Sequence, residues 1–211
     1  MTGTLDKPRV PPTLTEARAP WGVAAFDNAR SAAMMGADPG LLIWARHDAR
    51  LEAALIVAPE RTLFEALPLI IAPAAALAAV LAQAGDLIEV GDLGAVDFSV
   101  EWPDRVVSKG QICGKLGAAA STAEPTIVPD WLVVGIDVAL WPMDGQASAL
   151  WAAPPLGLGA LSVLESWAAA LETLVEQWQS RGTGPLIAAM DDLAEPGCEG
   201  SRAASLIQLL R

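Results

Sequence analysis

The chain has 211 residues, 53% of them apolar, and sets 25 acidic side chains against 13 basic ones for a net charge of -12. That balance, with Lys and Arg scattered along the sequence, excludes nucleic acid as a main partner. Two distant cysteines, Cys113 and Cys198, and a single histidine, His47, exclude a zinc ribbon and any multi-histidine metal site.

A chain of this length buries roughly 70% of its unfolded surface and needs no disulfide or metal staple. Residues 1–12 are polar and proline-bearing, and are predicted to be a flexible arm. They lack the charged start, apolar core and small-residue cleavage site of a signal peptide, so the expected compartment is the cytoplasm. Trp21 to Met35 has helical spacing, with Trp21, Ala24, Ala25, Ala29, Ala32 and Ala33 near one face, and Gly36 ends it. Leu41 to Arg46 and Leu51 to Ala58 read as two strands of a hairpin joined by His47-Asp48-Ala49-Arg50. A helix from about Leu63 to Ala84 follows. It holds an uninterrupted apolar run of 17 residues, Ala66 to Ala82, at the short limit for a membrane span. Pro68, Pro73, many alanines and no flanking aromatic anchors favour a buried helix instead.

Val96 to Trp102, Arg105 to Ser108 and Gln111 to Ala119 read as consecutive strands, with Lys109-Gly110 as a tight turn. Trp131 to Trp141 is the strongest strand pattern in the chain, and Pro142 to Pro155 reads as a loop. Leu161 to Gln179 is an amphipathic helix closed by Arg181-Gly182, Pro185 to Leu193 a second helix, and Ser201 to Leu210 a third. Neighbouring strands with helices grouped around them predict an α+β domain over residues 13–194, followed by a tail or helix at 195–211.

The segment from Glu101 to Ala118 draws attention as a site. Pro103 cannot donate to a ladder, so it marks a strand end, a sheet edge or a bulge. Gly114 and Gly117 leave a strand bare where a ligand can lie against backbone, and Lys115 offers a cation for an anion. Asp137 sits inside an otherwise apolar strand, which calls for a ligand or an arginine partner.

Three segments in order resemble the catalytic domain of the biotin and lipoate protein ligases. Glu101-Trp102-Pro103-Asp104 is similar to the family's K-W-P-N-D turn, with one residue fewer. Ile112 to Gly117 resembles its K-x-G-G-I segment, and Val133 to Ala139 its V-x-G-I-G-x-N strand. More weakly, Glu176 to Leu193 resembles its closing helices. The resemblance implies a mixed, mainly antiparallel sheet packed against helices, class II synthetase-like. It also implies ATP-dependent activation of biotin, lipoate or another small carboxylic acid, with Mg2+, and transfer to a lysine of a carrier domain. A homodimer is open.

The site residues implied are Lys115 as the catalytic cation, with Arg46, His47, Trp102, Asp104, Gly114, Gly117, Gly135 and Asp137 around substrate and nucleotide. The chain departs from the family pattern in three respects. Ile112 stands where the lysine is expected, and simple alternation would turn Lys115 to the opposite face unless a bulge intervenes. The Ala45 to Arg50 loop is short and has no glycine, and Asp137 and Ala139 replace the strand's second glycine and its asparagine. These departures keep a second reading open, a ligation-impaired protein that binds a small acid, a nucleotide or a carrier. A third is an acyl transferase, for which Cys113 is the nearest nucleophile.

Overall fold

Residues 7–87, 98–143, 148–154 and 158–193 are described by the computed structural model. The helix expected at Ser201 to Leu210, the tail and Cys198 lie outside these residues.

Seven strands form one sheet: β1 (Thr15–Arg18), β2 (Leu41–Trp44), β3 (Arg50–Val57), β4 (Phe98–Glu101), β5 (Arg105–Ser108), β6 (Gln111–Ala120) and β7 (Leu132–Ala139). Their order across the sheet is β1-β2-β3-β7-β6-β5-β4. Only β1 and β2 run parallel; every other neighbouring pair is antiparallel. This is the mixed, mainly antiparallel α+β architecture read from the sequence. β1 was not foreseen there, because its four residues Thr15-Glu16-Ala17-Arg18 carry no apolar alternation.

Alternation sorts the strands onto two faces. Leu51, Ala53 and Leu55 of β3 and Val134, Ile136 and Val138 of β7 enter the large core. That core is closed by α2 (Leu63–Ala66), a 3-10 segment (Leu67–Ile71), α3 (Ala72–Leu87), α4 (Ala160–Arg181) and α5 (Gly184–Leu193). Pro73 has no N–H to offer the preceding turn, and Ala72 N–H instead reaches Leu69 O in the tighter 3-10 pattern. Trp167 on α4 is fully buried and donates to Pro73 O at 2.8 Å, which ties α4 to α3. The apolar stretch Leu63–Gln83 is long enough to cross a membrane, yet 72% of its most apolar window is buried in the fold. It is the buried helix that its prolines suggested.

The other face carries a smaller core. α1 (Ala25–Met34) lays Ala25, Ala29 and Ala33 on Ala54, Ile56 and Val133. The helix starts later than its spacing suggested. A turn through Pro20 and Gly22 (φ 78°) precedes it, and Trp21, expected on the packed face, is 98% exposed. Between β5 and β6, Lys109 (φ 52°) and Gly110 (φ 71°) form the expected tight turn, both in the left-handed region of a type I′ hairpin.

Candidate functional site

One irregularity in β6 shapes the site. Val106 pairs with Gly114 but Val107 pairs with Ile112, so Cys113 is an extra residue in a β-bulge. The bulge resets alternation. Cys113 and Leu116 face the large core, while Ile112 and Lys115, three residues apart, both line one hollow of about 560 Å³ with Asp104 and Asp137. The opposite-face placement expected from plain alternation is thereby corrected.

Three strands present a row of charge here. Glu52 on β3 is the register partner of Asp137 on β7, and Asp137 is the partner of Lys115 on β6. Arg50 Nε donates to Asp137 Oδ1 at 2.5 Å, with both side chains about three-quarters buried (27% and 25% exposed). The hydrogen bond to Asp137 raises the Arg50 pKa above its usual value against the opposing effect of burial. Asp137 thus has the arginine partner that its position demands. A pair this sheltered is worth more than a surface bridge, because losing one member strands the other in partial burial. Arg50→Ala should lower stability by about 1–2 kcal/mol. The Arg50→Ala, Asp137→Ala double variant should cost less than the two single changes added, as read by urea unfolding.

Arg50 and Asp137 also line a second hollow, of about 690 Å³, that opens beside the start of α1. Arg18, Arg46 and His47 line it too, with the exposed Trp21 among them. Glu52 organises this side. Its Oε1 accepts from the Ala25 backbone N–H at 2.8 Å, and its Oε2 lies 2.6 Å from His47 Nε2. A carboxylate at the first turn of α1 satisfies an orphan donor and complements the helix dipole.

The two hollows share the Arg50–Asp137 pair, and together they gather Arg18, Arg46, Arg50, Arg105 and Lys115. Five of the chain's 13 basic residues therefore line one cleft, although they are scattered in sequence. No linear pattern announces this; the register of β3, β6 and β7 creates it. Neither Lys115, Arg46 nor Arg18 has an ion-pair partner among the described residues.

Other expected site residues fall elsewhere. Trp102 lines neither hollow. It continues the Phe98, Val100 alternation of β4 and packs toward the helices, beside the cluster of Leu63, Leu67 and Ile70. Its Nε1 is buried without a hydrogen-bond partner among the described residues. The Trp102-Pro103 turn, whose peptide bond is cis, ends β4 at the sheet edge as Pro103 suggested. Asp104, past that turn, does border the hollow, and its carbonyl accepts from Leu116 N–H at 2.6 Å. Arg46 and Lys115 line adjoining hollows rather than the same one.

The glycines were expected to leave bare strand for a ligand, and their neighbours are instead protein. A Cβ at Gly114 would lie 2.5 Å from Asp137 O and 2.7 Å from Val138 Cα, so this glycine lets β6 approach β7 beside the bulge. Gly117 and Gly135 are register partners, and the ring of Phe26 on α1 covers both.

Cys113 borders the hollow but is 6% exposed, and burial pushes its thiol up to about 11. A thiol so rarely ionised at neutral pH is a poor nucleophile, which weakens the transferase reading. In a Cys198→Ser variant Cys113 is the one remaining thiol. At pH 8 it should stay unlabelled by a disulfide reagent over minutes and react fully in denaturant.

This mixed sheet of seven strands with helices matches the fold of the catalytic domain of biotin protein ligases. The chain belongs to the Biotin/lipoate A/B protein ligase family, whose model matches residues 10–191. It is similar to a biotin protein ligase-like protein of unknown function from Silicibacter sp. TM1040, with 27% identity over 97% of this chain and 100% of that one and a TM-score of 0.77. It shares its fold with biotin protein ligase from Leishmania major, solved with biotinyl-5-AMP (16% identity, 90% of this chain, 84% of that one, TM-score 0.56). Biotin protein ligase from Aquifex aeolicus is a further match in fold (14% identity, 86% and 75% of the two chains, TM-score 0.51). Comparison with curated proteins gives no match.

Proposed function

We propose that this protein activates a small carboxylic acid with ATP in the cleft between β3, β6 and β7, and passes the acyl group to a lysine of a carrier domain. The observation that carries this reading is the bulge at Cys113, which puts Lys115 on the cleft face beside Ile112, the position where the family has its lysine. Attack of a carboxylate on a phosphate gathers negative charge in the transition state, and fixed cations lower its energy. Lys115 supplies a compact, mobile charge, while Arg50, locked by Asp137, supplies a fixed one. Arg46 and Arg18 extend the positive lining toward α1, where phosphates have room. The donor set therefore fits an acid and a nucleotide. Among the described residues no cluster of three His, Cys, Asp or Glu side chains has metal-site geometry. Mg2+ would accordingly be held chiefly by the nucleotide phosphates.

Two observations favour a second reading, binding without ligation. Ile112 is half exposed in the cleft and neutralises nothing, and the Phe26 ring occupies the bare strand over Gly117 and Gly135. Calorimetry with biotin, lipoate, short acids and ATP, run beside acid-dependent pyrophosphate exchange, decides between them. Exchange above background supports activation. Binding of an acid or of ATP without exchange leaves a ligation-impaired binding protein. No binding of either removes the first reading and leaves only the carrier-binding form of the second.

A further inference from the structure

The charged row Glu52–Asp137–Lys115 is followed, two residues further along each strand and on the same face, by a row of the smallest side chains, Ala54–Gly135–Gly117. Two residues of strand amount to about 6.6 Å, so the small row extends the cleft floor away from the cations. A floor of this kind, stripped of side chains, would hold an apolar tail whose carboxylate meets Lys115 at the cationic end of the charged row. In this protein the floor is covered from within. A Cβ at Gly117 would lie 2.7 Å from Phe26 Cδ2 and 2.9 Å from Cε2, and one at Gly135 would lie 3.1 Å from Cδ2. Phe26 is the second residue of α1, and the Trp21 to Ala24 segment just before it lines the 690 Å³ hollow. Its backbone is held in place next door, where Ala25 N–H donates to Glu52. Phe26 packs against the alanine-rich cluster of α1 and is only partly buried.

We propose that Phe26 is a specificity-determining residue: its ring fills the tail end of the acid site, so that the protein takes a short carboxylic acid of about two to four carbons and rejects long acyl chains and bulky rings. This deepens the acid-binding reading given above and rests on it. The geometry explains why glycines stand beneath a side chain of the protein itself. Without them the ring would have no room, and α1 would stand away from the sheet.

Removing the ring opens a benzene-sized slot, and an apolar slot of that size binds benzene-like guests. The ratio of octanoate to propanoate affinity, measured by calorimetry, should rise at least tenfold in Phe26→Ala, since each methylene gained by an apolar slot is worth several-fold. Adding Gly117→Ala to Phe26→Ala should reduce the rise, because the new methyl takes up part of the slot. Phe26→Leu, a smaller truncation kept in case the alanine variant unfolds, should give a partial rise. Benzene binding to Phe26→Ala, followed by thermal shift, reports the slot without any carboxylate.

The expected pattern is propanoate-selective wild type, a raised ratio and benzene binding in Phe26→Ala, and a smaller rise with weaker benzene binding in the double variant. Wild type that binds octanoate or biotin as well as propanoate, with no change of ratio in the variants, overturns the role of Phe26 and leaves the acid site standing. If no acid binds any variant while benzene still binds Phe26→Ala, the slot exists but the acid site does not, and the specificity role falls with it.

Discussion

Replacing Lys115 with alanine is expected to lower acid-dependent pyrophosphate exchange about 10²–10³-fold, or roughly 3–4 kcal/mol in the barrier, the usual cost of one lost charge-stabilising group. The change should leave folding nearly untouched, because Lys115 is exposed and forms no ion pair among the described residues. The bulge supplies a sharper form of the test. Ile112 and Lys115 face the same hollow, so Ile112→Lys placed on the Lys115→Ala background should recover at least a tenth of the lost rate. Recovery ties the effect to charge in that hollow rather than to one side chain's packing. Unchanged exchange in Lys115→Ala would remove Lys115 from the mechanism and leave Arg50 and Arg46 to carry the charge.

The second large effect is on stability. Gly114→Ala drives a methyl into Asp137 O at 2.5 Å and Val138 Cα at 2.7 Å, atoms of a backbone that cannot swing aside. Overpacking of this kind costs about 1–3 kcal/mol and sometimes more. In a chain of about 200 residues that corresponds to a fall in Tm of about 2–12 °C. Gly184→Ala is the control, since nothing lies within 4 Å of its added Cβ and the first turn of α5 welcomes alanine. Calorimetric melting of the two variants checks the contrast. Equal Tm values would show that β6 and β7 can part beside the bulge at little cost.

Much of the architecture was legible because period and punctuation agree along the chain. The β2–β3 hairpin, the Lys109-Gly110 turn and β7 each combine a strand pattern with a turn signal at its end. The apolar run through Pro68 and Pro73 was readable as buried helix, although its 3-10 segment was not foreseen. The site was less legible. Asp137 stood out as a charge in an apolar strand, and its arginine partner could be anticipated. That the partner is Arg50 depends on the β3–β7 register, which places the two residues across adjoining strands 87 positions apart in sequence. Lys115 was visible as a cation, but its face depended on a one-residue bulge at Cys113. Trp102 was assigned to the cleft from the resemblance, although its own alternation with Phe98 and Val100 points to the helices. Phe26 gave no sequence signal, since an aromatic residue near a helix start reads as ordinary packing.

The two layers that flank the sheet differ in grip. α4 is anchored by large buried side chains, Trp167 and Trp178 among them, whereas α1 rests on methyl groups from Ala25, Ala29 and Ala33 and on one ring, that of Phe26. Short side chains hold through little area, so the Phe26 ring and the Glu52 tether carry much of the hold of α1 on β3 and β7. Glu52 tethers the first turn of α1 and also touches His47, so one side chain joins the seat of that helix to the cleft wall. The seat of α1 on the sheet therefore depends on two neighbouring residues at its first turn, while the other layer is secured by a broad set of large side chains.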